Sequence, residues 1–213
     1  MVNQAKTMTT KHPKKDKLQV GAQDGLTRCP WCESKSLDRH YHDTEWGVPM
    51  HDDRDLLELL TLEGAQAGLS WSTVLAKREG YKRIFKNFDA KKIVKFTETD
   101  IASAMADPGI VRNKLKIHST IGNSKAFLEV QAKYGSFDAF LWQIVGGKPI
   151  VNKWKAFTQV PAKTAESDAM SKMLLAHGFK FVGSTICYAF MQASGMVNDH
   201  LVGCYRHKKV LSK

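Results

Sequence analysis

Apolar residues recur at helical spacing along most of this chain, and no run that alternates like a β-strand is evident. Caps, glycines and prolines divide the pattern into predicted helices at about 52–67, 70–79, 89–93, 97–105, 112–134, 136–145, 164–177 and 185–194. The stretch from Thr97 to Asp100 has the form of a capping box. No linker interrupts residues 26–205, so the pattern predicts a single all-α domain there.

The two ends of the chain differ from this central part. Residues 1–25 are rich in Thr, Lys, Gln and Gly and lack the apolar segment of a secretory signal, which predicts a flexible extension. Residues 206–213 are predicted to form a basic tail. No apolar stretch reaches the length of a membrane span. We therefore expect a cytoplasmic protein that has no membrane partner and acts as a monomer.

The net charge of +11 is concentrated at the ends, because residues 1–28 and 206–213 each carry +4 and the rest carries +3. Basic ends favour polyanions through counterion release but do not select DNA over RNA or an acidic membrane. A local basic cluster also contains Lys77, Arg78, Lys82, Arg83, Lys86, Lys91, Lys92 and Lys95. This cluster is either a contact to a nucleic-acid backbone or an ordinary solvated helix face.

Two cysteine–histidine pairs lie near the ends of the predicted domain, Cys29 with His42 and His200 with Cys204. Together they are a ligand set that closes a tetrahedral zinc site. Their wide separation is unlike a zinc finger. A rival site would use Cys32, because Cys29–Cys32 is itself a Cys-x-x-Cys motif. Alternatively, His200 and Cys204 simply share one helical face.

The cysteines favour a structural role over a catalytic one. A closed four-ligand site leaves no position for a reactive water, so its zinc would be structural. A thioredoxin-like redox motif is disfavoured because no βαβ pattern surrounds Cys29–Cys32. Cys187 lies in an apolar helix and is predicted to be a core residue.

Glu63 is the most informative single residue. It shares a helical face with leucines three, four and seven residues earlier, so its carboxylate is predicted to point into the core. A buried charge costs several kcal/mol unless it is paired, which makes Glu63 a functional candidate. The alternative is a helix-end side chain that bends out to water at Gly64. Asp55 and Glu58 fall on the opposite face and are expected to be solvated.

Aromatic residues cluster around Glu63 in the sequence, with Trp31, Tyr41 and Trp46 before it and Trp71 after it. Flat apolar rings around a buried anion suit a flat, cationic, hydrogen-bonding ligand. Ordinary core packing is the alternative for each ring. It is the expectation for Trp142 and Trp154.

Three stretches of the chain closely resemble 3-methyladenine DNA glycosylase I, a bacterial base-excision family. They are Tyr41–Pro49, Leu62–Trp71 and Gly178–Tyr188, the last continuing to Val197–His200 and Val202–Cys204. The resemblance covers about residues 27–205. It implies a helix-hairpin-helix DNA glycosylase domain with a structural Zn²⁺ that joins its N- and C-terminal segments. The ligands implied are Cys29, His42, His200 and Cys204.

The resemblance also implies how such a protein would hold alkylated double-stranded DNA. The hairpin falls at Gly178–Ser184, where Gly178, Lys180, Gly183 and Ser184 and the following helix N-terminus would hold a phosphate. Pro108–Ile110 is a second hairpin candidate. Leu69 is expected to wedge into the gap left by the flipped nucleotide. The family lacks the catalytic aspartate of related glycosylases, so none is assigned to Asp199.

For the base itself, the resemblance implies that Glu63 and Tyr41 hydrogen-bond 3-methyladenine, that Trp71 stacks on it, and that Trp46 and Trp31 complete the wall. The damaged nucleotide must first leave the stack. Because methylation at N3 makes the base cationic and a good leaving group, the implied catalytic role of Glu63 is to stabilise charge near the sugar.

Two other classes of function are compared with this expectation. A zinc-stabilised nucleic-acid-binding protein without enzymatic activity would need the basic ends and the zinc, but not Glu63 among apolar residues beside Trp71. A metal-dependent hydrolase would need an open metal site, which a Cys2His2 set does not provide.

Overall fold

Helices form most of the protein, whose computed structural model describes residues 19–20 and 24–210. Most of the predicted N-terminal extension, and residues 211–213 of the predicted tail, lie outside the described residues. The helices are α1 (Ser36–Thr44), α2 (Asp53–Gln66), α3 (Trp71–Leu75), α4 (Arg78–Ile84), α5 (Ala90–Ile93), α6 (Glu98–Ala106), α7 (Lys114–Tyr134), α8 (Phe137–Trp142), α9 (Ala165–Ala176), α10 (Ser184–Ala193) and α11 (Arg206–Lys209). Short 3-10 helices span Pro30–Cys32, Lys86–Phe88, Gln143–Val145 and Phe157–Gln159.

The predicted helix starts are confirmed where a side chain caps the helix. Asp52 accepts hydrogen bonds from the first N–H groups of α2, and the capping box of Thr97 and Asp100 opens α6. The single helix predicted at 70–79 was wrong, because the structure has α3 and α4 there. Gly80 does not end a helix but lies inside α4, where an added Cβ would sit 2.1 Å from the Gly109 carbonyl oxygen.

Four short strands correct the all-α prediction to a mostly helical domain. β1 (Gln19–Val20) pairs antiparallel with β2 (Thr27–Arg28), and β3 (Ile150–Val151) pairs parallel with β4 (Val197–Asn198). β1 lies within the segment predicted to be a flexible extension. The β3–β4 pair joins the irregular segment after α8 to the chain after α10. No periodic pattern in the sequence predicted this pairing.

The predicted basic tail begins too early at residue 206. Arg206 and His207 of α11 are buried, as is Val210. The Asn198 side chain donates a hydrogen bond to the His207 carbonyl oxygen (2.8 Å), and His207 Nε2 lies 2.8 Å from the Asn152 carbonyl oxygen. The folded domain therefore continues to residue 210.

Helix α2 lies at the centre of the core, where α3, α7, α8 and α10 pack against it. Its leucines are buried on nearly every side, and Glu63 is buried among them, as the leucine spacing predicted. The expectation that Glu58 is solvated was wrong, because Arg78 from α4 donates to its buried carboxylate (2.5 Å). Among the described helices, none is long and apolar enough to cross a membrane.

Candidate functional site

A cavity of about 460 Å³ lies between α1, α2, α3 and α10. It is within the size range of small-molecule sites and is mostly apolar. Its lining consists of Trp31, Tyr41, Trp46, Glu63, Gln66, Trp71, Phe157, Val160, Pro161, Ala162, Thr185, Ala189 and Gln192. All five residues that the sequence assigned to a base therefore line one cavity.

Glu63 supplies the only carboxylate of this lining. Its side chain is 5% exposed, and no residue in the described part of the chain donates a hydrogen bond to it. Burial without a partner raises its pKa to about 8. The cavity therefore contains a carboxyl group that is costly to ionise until a positive charge or a donor arrives.

Tyr41 and Trp71 face each other beside Glu63. Their ring centroids are 5.2 Å apart and inclined by 45°. Burial, and then the nearby Glu63 charge, raise the pKa of Tyr41 well above its ordinary value, so its hydroxyl keeps its proton. The Ser72 hydroxyl donates to Asp38 (2.5 Å) and so joins α3, which begins at Trp71, to α1, which carries Tyr41.

Trp31 and Trp46 form another part of the cavity wall. Their centroids lie 5.2 Å apart in an edge-to-face arrangement with an interplanar angle of 70°. Trp31 belongs to the 3-10 helix Pro30–Cys32, and Trp46 follows the end of α1. Both rings are half-buried, so a flat ligand can still reach them.

The sequence reasoning missed the other lining residues. Gln66 follows Glu63 by three positions on α2, so helical spacing was enough to find it. Thr185, Ala189 and Gln192 share one face of α10 by the same spacing. The lining residues from Phe157 to Ala162 come from an irregular segment, in which no periodicity marks an inward side chain.

Asp199 has a structural role in this site. It is buried and accepts four hydrogen bonds at 2.5–2.8 Å, from Asn152, Trp154, Tyr188 and Gln192. These donors occupy both of its oxygens, so Asp199 is held as a structural acceptor and does not face the cavity as a free carboxylate. The bond from Gln192 Nε2 also fixes that amide, whose carbonyl oxygen receives no hydrogen bond among the described residues.

The two cysteine–histidine pairs converge. The ligand atoms of Cys29, His42, His200 and Cys204 all lie within 4.8 Å of one another, and all four residues are buried. The rival set with Cys32 was wrong, since its thiol lies outside this group and donates to the Cys29 carbonyl oxygen (3.1 Å). This metal cluster of four residues can hold a metal ion.

The second ring nitrogen of each histidine is bound outside the metal cluster. His42 Nδ1 lies 2.8 Å from Asp43, which also pairs with Arg28, and His200 Nε2 lies 3.0 Å from the Trp46 carbonyl oxygen. His42 Nε2 and His200 Nδ1 therefore face the sulfurs. Burial lowers the pKa of His200, which favours the neutral imidazole that a metal requires.

A family model described as methyladenine glycosylase matches residues 31–207 of the chain. The chain belongs to the methyladenine glycosylase family. DNA-3-methyladenine glycosylase 1 of Escherichia coli (strain K12) is 47% identical to it over 179 residues, covering 84% of this chain and 96% of that protein. DNA-3-methyladenine glycosylase of Haemophilus influenzae (strain ATCC 51907 / DSM 11121 / KW20 / Rd) is 48% identical over 178 residues, with coverage of 84% and 96%.

Solved structures of methyladenine glycosylases share this fold. A crystal structure of 3-methyladenine DNA glycosylase I matches with a TM-score of 0.82 and 46% identity, covering 84% of this chain and 98% of that one. The Staphylococcus aureus enzyme, solved to explain its recognition of 3-methyladenine, matches with a TM-score of 0.81 and 34% identity over 84% and 95%. The family resemblance and the mostly helical domain are thereby confirmed.

In this methyladenine glycosylase, Leu69 lies in the turn between α2 and α3. The turn follows Gly68, whose φ of +80° suits glycine, and the Leu69 side chain is 41% exposed. The hairpin, which we define as Gly178–Ser184, connects α9 to α10. The first N–H groups of α10, like those of any helix, have no intrahelical partner, and no side chain caps them. The Ser184 hydroxyl hydrogen-bonds to Asp168 and lowers the pKa of that carboxyl group. The group that Ser184 can offer to a phosphate is therefore its backbone N–H.

The second hairpin candidate, Pro108–Ile110, is occupied by internal contacts. Lys77 donates to the Pro108 carbonyl oxygen (2.5 Å), and Asp107 accepts from the Gly109 N–H (2.7 Å). Half of the basic cluster at residues 77–95 is also paired within this glycosylase, because four of its eight side chains form ion pairs with acids. These are Arg78, Lys82, Arg83 and Lys92.

Proposed function

We propose that this chain is a DNA glycosylase that hydrolyses the N-glycosidic bond of 3-methyladenine in alkylated double-stranded DNA. Glu63 carries the proposal, because it is a buried carboxyl group without a partner in a cavity walled by aromatic rings. Membership of the methyladenine glycosylase family supports the same reaction. The products are free 3-methyladenine and an abasic sugar whose C1′ carries the oxygen of water.

The cationic base explains why a carboxyl group stands in this cavity. A nearby positive charge lowers a carboxyl pKa, so a bound 3-methyladenine cation favours the ionised form of Glu63. The anion then stabilises positive charge on the base and on the sugar as the bond breaks. In this proposal Tyr41 adds a hydrogen bond, Trp71 stacks on the base, and Trp46 and Trp31 exclude water. Unmodified bases are neutral, so they gain no comparable attraction to Glu63.

The damaged nucleotide has to leave the duplex before it can enter the cavity. We assign the exposed Leu69 to the gap that it leaves. The hairpin residues Gly178, Lys180 and Gly183, with the Ser184 N–H, would hold a backbone phosphate at the N-terminus of α10. The cavity is built from one chain alone, so the proposal needs only a monomer.

The metal cluster fits a structural Zn²⁺. Ligand distances of about 2.3 Å to sulfur and 2.0 Å to nitrogen place the two atoms about 3.5 Å apart at a tetrahedral angle. The sulfur–nitrogen distances of 3.4–3.7 Å from Cys29 and Cys204 to the histidines agree with this value. A zinc ion held by these four ligands would supply a cross-link and no reactive water. It would tie the segment that carries Trp31, Tyr41 and Trp46 to the chain after α10.

Release of free 3-methyladenine from methylated duplex DNA tests the proposal. Wild type should release the base, whereas Glu63→Gln, which keeps the shape but cannot ionise, should release it at least about a hundredfold more slowly. Glu79→Gln is the matched control, because that side chain is 86% exposed and does not line the cavity. A folded wild type that releases no base would overturn the proposal. A non-enzymatic DNA-binding protein would give that result, but nothing in such a protein requires the unpaired Glu63.

A further inference from the structure

Lys116, in the first turn of α7, is half-buried and binds the end of α2. Its Nζ donates to the carbonyl oxygens of Ala65 and Ala67, each at 2.7 Å. These carbonyls belong to the end of α2, which lacks helical partners for them, and the Leu69 turn follows directly. Lys116 therefore fixes the base of the turn that presents Leu69.

Asn123 makes an equivalent contact with the hairpin. Its Nδ2 donates to the Lys180 carbonyl oxygen (2.9 Å), and its Oδ1 accepts from the Lys180 N–H (2.8 Å). Asn123 is buried, and the next hairpin residue, Phe181, has a φ of +56° that few non-glycine residues adopt. The side chain thus satisfies both backbone groups of one residue in a strained part of the hairpin.

The two contacts come from the same face of one helix. Asn123 follows Lys116 by seven residues, which is two helical turns and about 10 Å along the axis of α7. Helix α2 also packs directly against the hairpin at Gly64, where an added Cβ would lie 3.1 Å from the Cβ of Phe181. Helix α7 therefore sets the separation between the Leu69 turn and the hairpin.

We propose that Lys116 and Asn123 are positioning residues for nucleotide flipping. This inference rests on the proposed function, in which Leu69 enters the stack while the hairpin holds a phosphate. Both must engage one duplex simultaneously, and a displacement of about 1 Å can cost a hundredfold in rate. Neither residue lines the cavity, so their loss should impair reaction on DNA and leave binding of the free base unchanged.

The proposal separates Lys116 from an ordinary DNA-contacting lysine. A lysine that neutralises a phosphate contributes about one unit to the slope of log affinity against log salt. The Lys116 ammonium is instead bound to two carbonyl oxygens. Removing it should weaken DNA binding without changing that slope.

The experiment compares two ligands for each variant. Affinity for free 3-methyladenine is measured by tryptophan fluorescence, and affinity and single-turnover excision are measured on methylated duplex DNA at several salt concentrations. The variants are Lys116→Met, Lys116→Arg, Asn123→Ala and Asn123→Asp. Lys125→Met, an exposed lysine on the same helix, is the matched control for lost charge.

We expect Lys116→Met and Asn123→Ala to lose about tenfold or more in excision, while affinity for the free base stays within about twofold. Lys116→Arg, which still donates, should retain most activity. Asn123→Asp should resemble Asn123→Ala, because it loses the donor to the Lys180 carbonyl. Lys125→Met should behave as wild type in both assays.

Three results would overturn the inference. The first is unchanged excision by both Lys116→Met and Asn123→Ala. The second is a parallel loss of affinity for the free base, which would make the residues general supports of the fold. The third is a salt slope reduced by about one unit in Lys116→Met. Failure of the proposed function is distinct, because wild type itself would then fail to bind or release 3-methyladenine.

Discussion

His200 holds the backbone of Trp46, with its Nε2 3.0 Å from the Trp46 carbonyl oxygen and its ring centroid 4.6 Å from the indole. The other nitrogen of the same imidazole faces Cys29 and Cys204. One side chain therefore belongs to the metal cluster and supports a wall of the cavity. The two features are mechanically connected although they have different chemistry.

Metal removal should consequently damage base binding through loss of structure. Loss of a bound metal costs several kcal/mol, and each kcal/mol lowers the Tm of a domain of this size by about 2–4 °C, so we expect a fall of roughly 10 °C after chelation. Affinity for 3-methyladenine should fall with it, and added Zn²⁺ should restore both. Differential scanning calorimetry and fluorescence titration measure these changes. A metal-free protein whose Tm and base affinity are the same as before chelation would contradict the prediction.

Glu63 should make stability depend on pH in a direction that Glu63→Gln abolishes. Its folded pKa of about 8 exceeds its ordinary value of 4.5, so between these values the folded state binds the extra proton. The free energy of unfolding therefore falls as pH rises, and the loss is complete above pH 8. The stability of Glu63→Gln relative to wild type should increase by about 2 kcal/mol or more from pH 6 to pH 9.

Urea unfolding of both proteins at pH 6, 7, 8 and 9 measures that difference, in which contributions from other titrating groups cancel. Glu79→Gln serves as the control for the loss of a surface carboxylate, because that side chain is 86% exposed. If the stability difference between Glu63→Gln and wild type did not change with pH, Glu63 would be ionised from pH 6 to pH 9 and would have a partner for its charge.

The hydrogen bond between Ser72 and Asp38 should support the Tyr41–Trp71 pair. Hydrogen bonds to charged groups contribute about 1.5–3 kcal/mol, so Asp38→Ala should weaken binding of free 3-methyladenine by severalfold as α3 shifts relative to α1. A double-mutant cycle with Ser72→Ala measures the coupling between the two residues. Additive effects of the two substitutions would show that this contact does not align the rings.

Leu69→Ala should reduce excision from duplex DNA by about tenfold or more, because a smaller side chain no longer fills the gap in the stack. Binding of the free base should be unchanged, since Leu69 does not line the cavity. Leu37→Ala is a matched control, with 40% exposure against 41% for Leu69. Excision by Leu69→Ala at the wild-type rate would exclude the wedge.

The sequence predicted those parts of the site that depend on local spacing. The leucines of α2 were enough to place Glu63 in the core, because helical periodicity alone decides that face. The choice between Cys29 and Cys32 needed the tertiary fold, since it depends on where residues 200 and 204 return. Glu58 was misjudged for the same reason, because its partner Arg78 arrives from another helix. The segment that carries Phe157 has no periodicity from which an inward side chain could be predicted.

Gly80 in α4 and Gly122 in α7 separate the effect of close packing on stability from that of helix propensity. Alanine normally stabilises an exposed helix interior by up to about 1 kcal/mol relative to glycine. Gly122→Ala in α7 should show this gain, because no atom lies within 4 Å of its added Cβ. Gly80→Ala should instead lose about 2 kcal/mol or more, because its Cβ would meet the Gly109 backbone at 2.1–2.8 Å and force α4 away from the turn after α6. Urea unfolding measures both variants, and a stabilised Gly80→Ala would contradict this close approach of the two backbones.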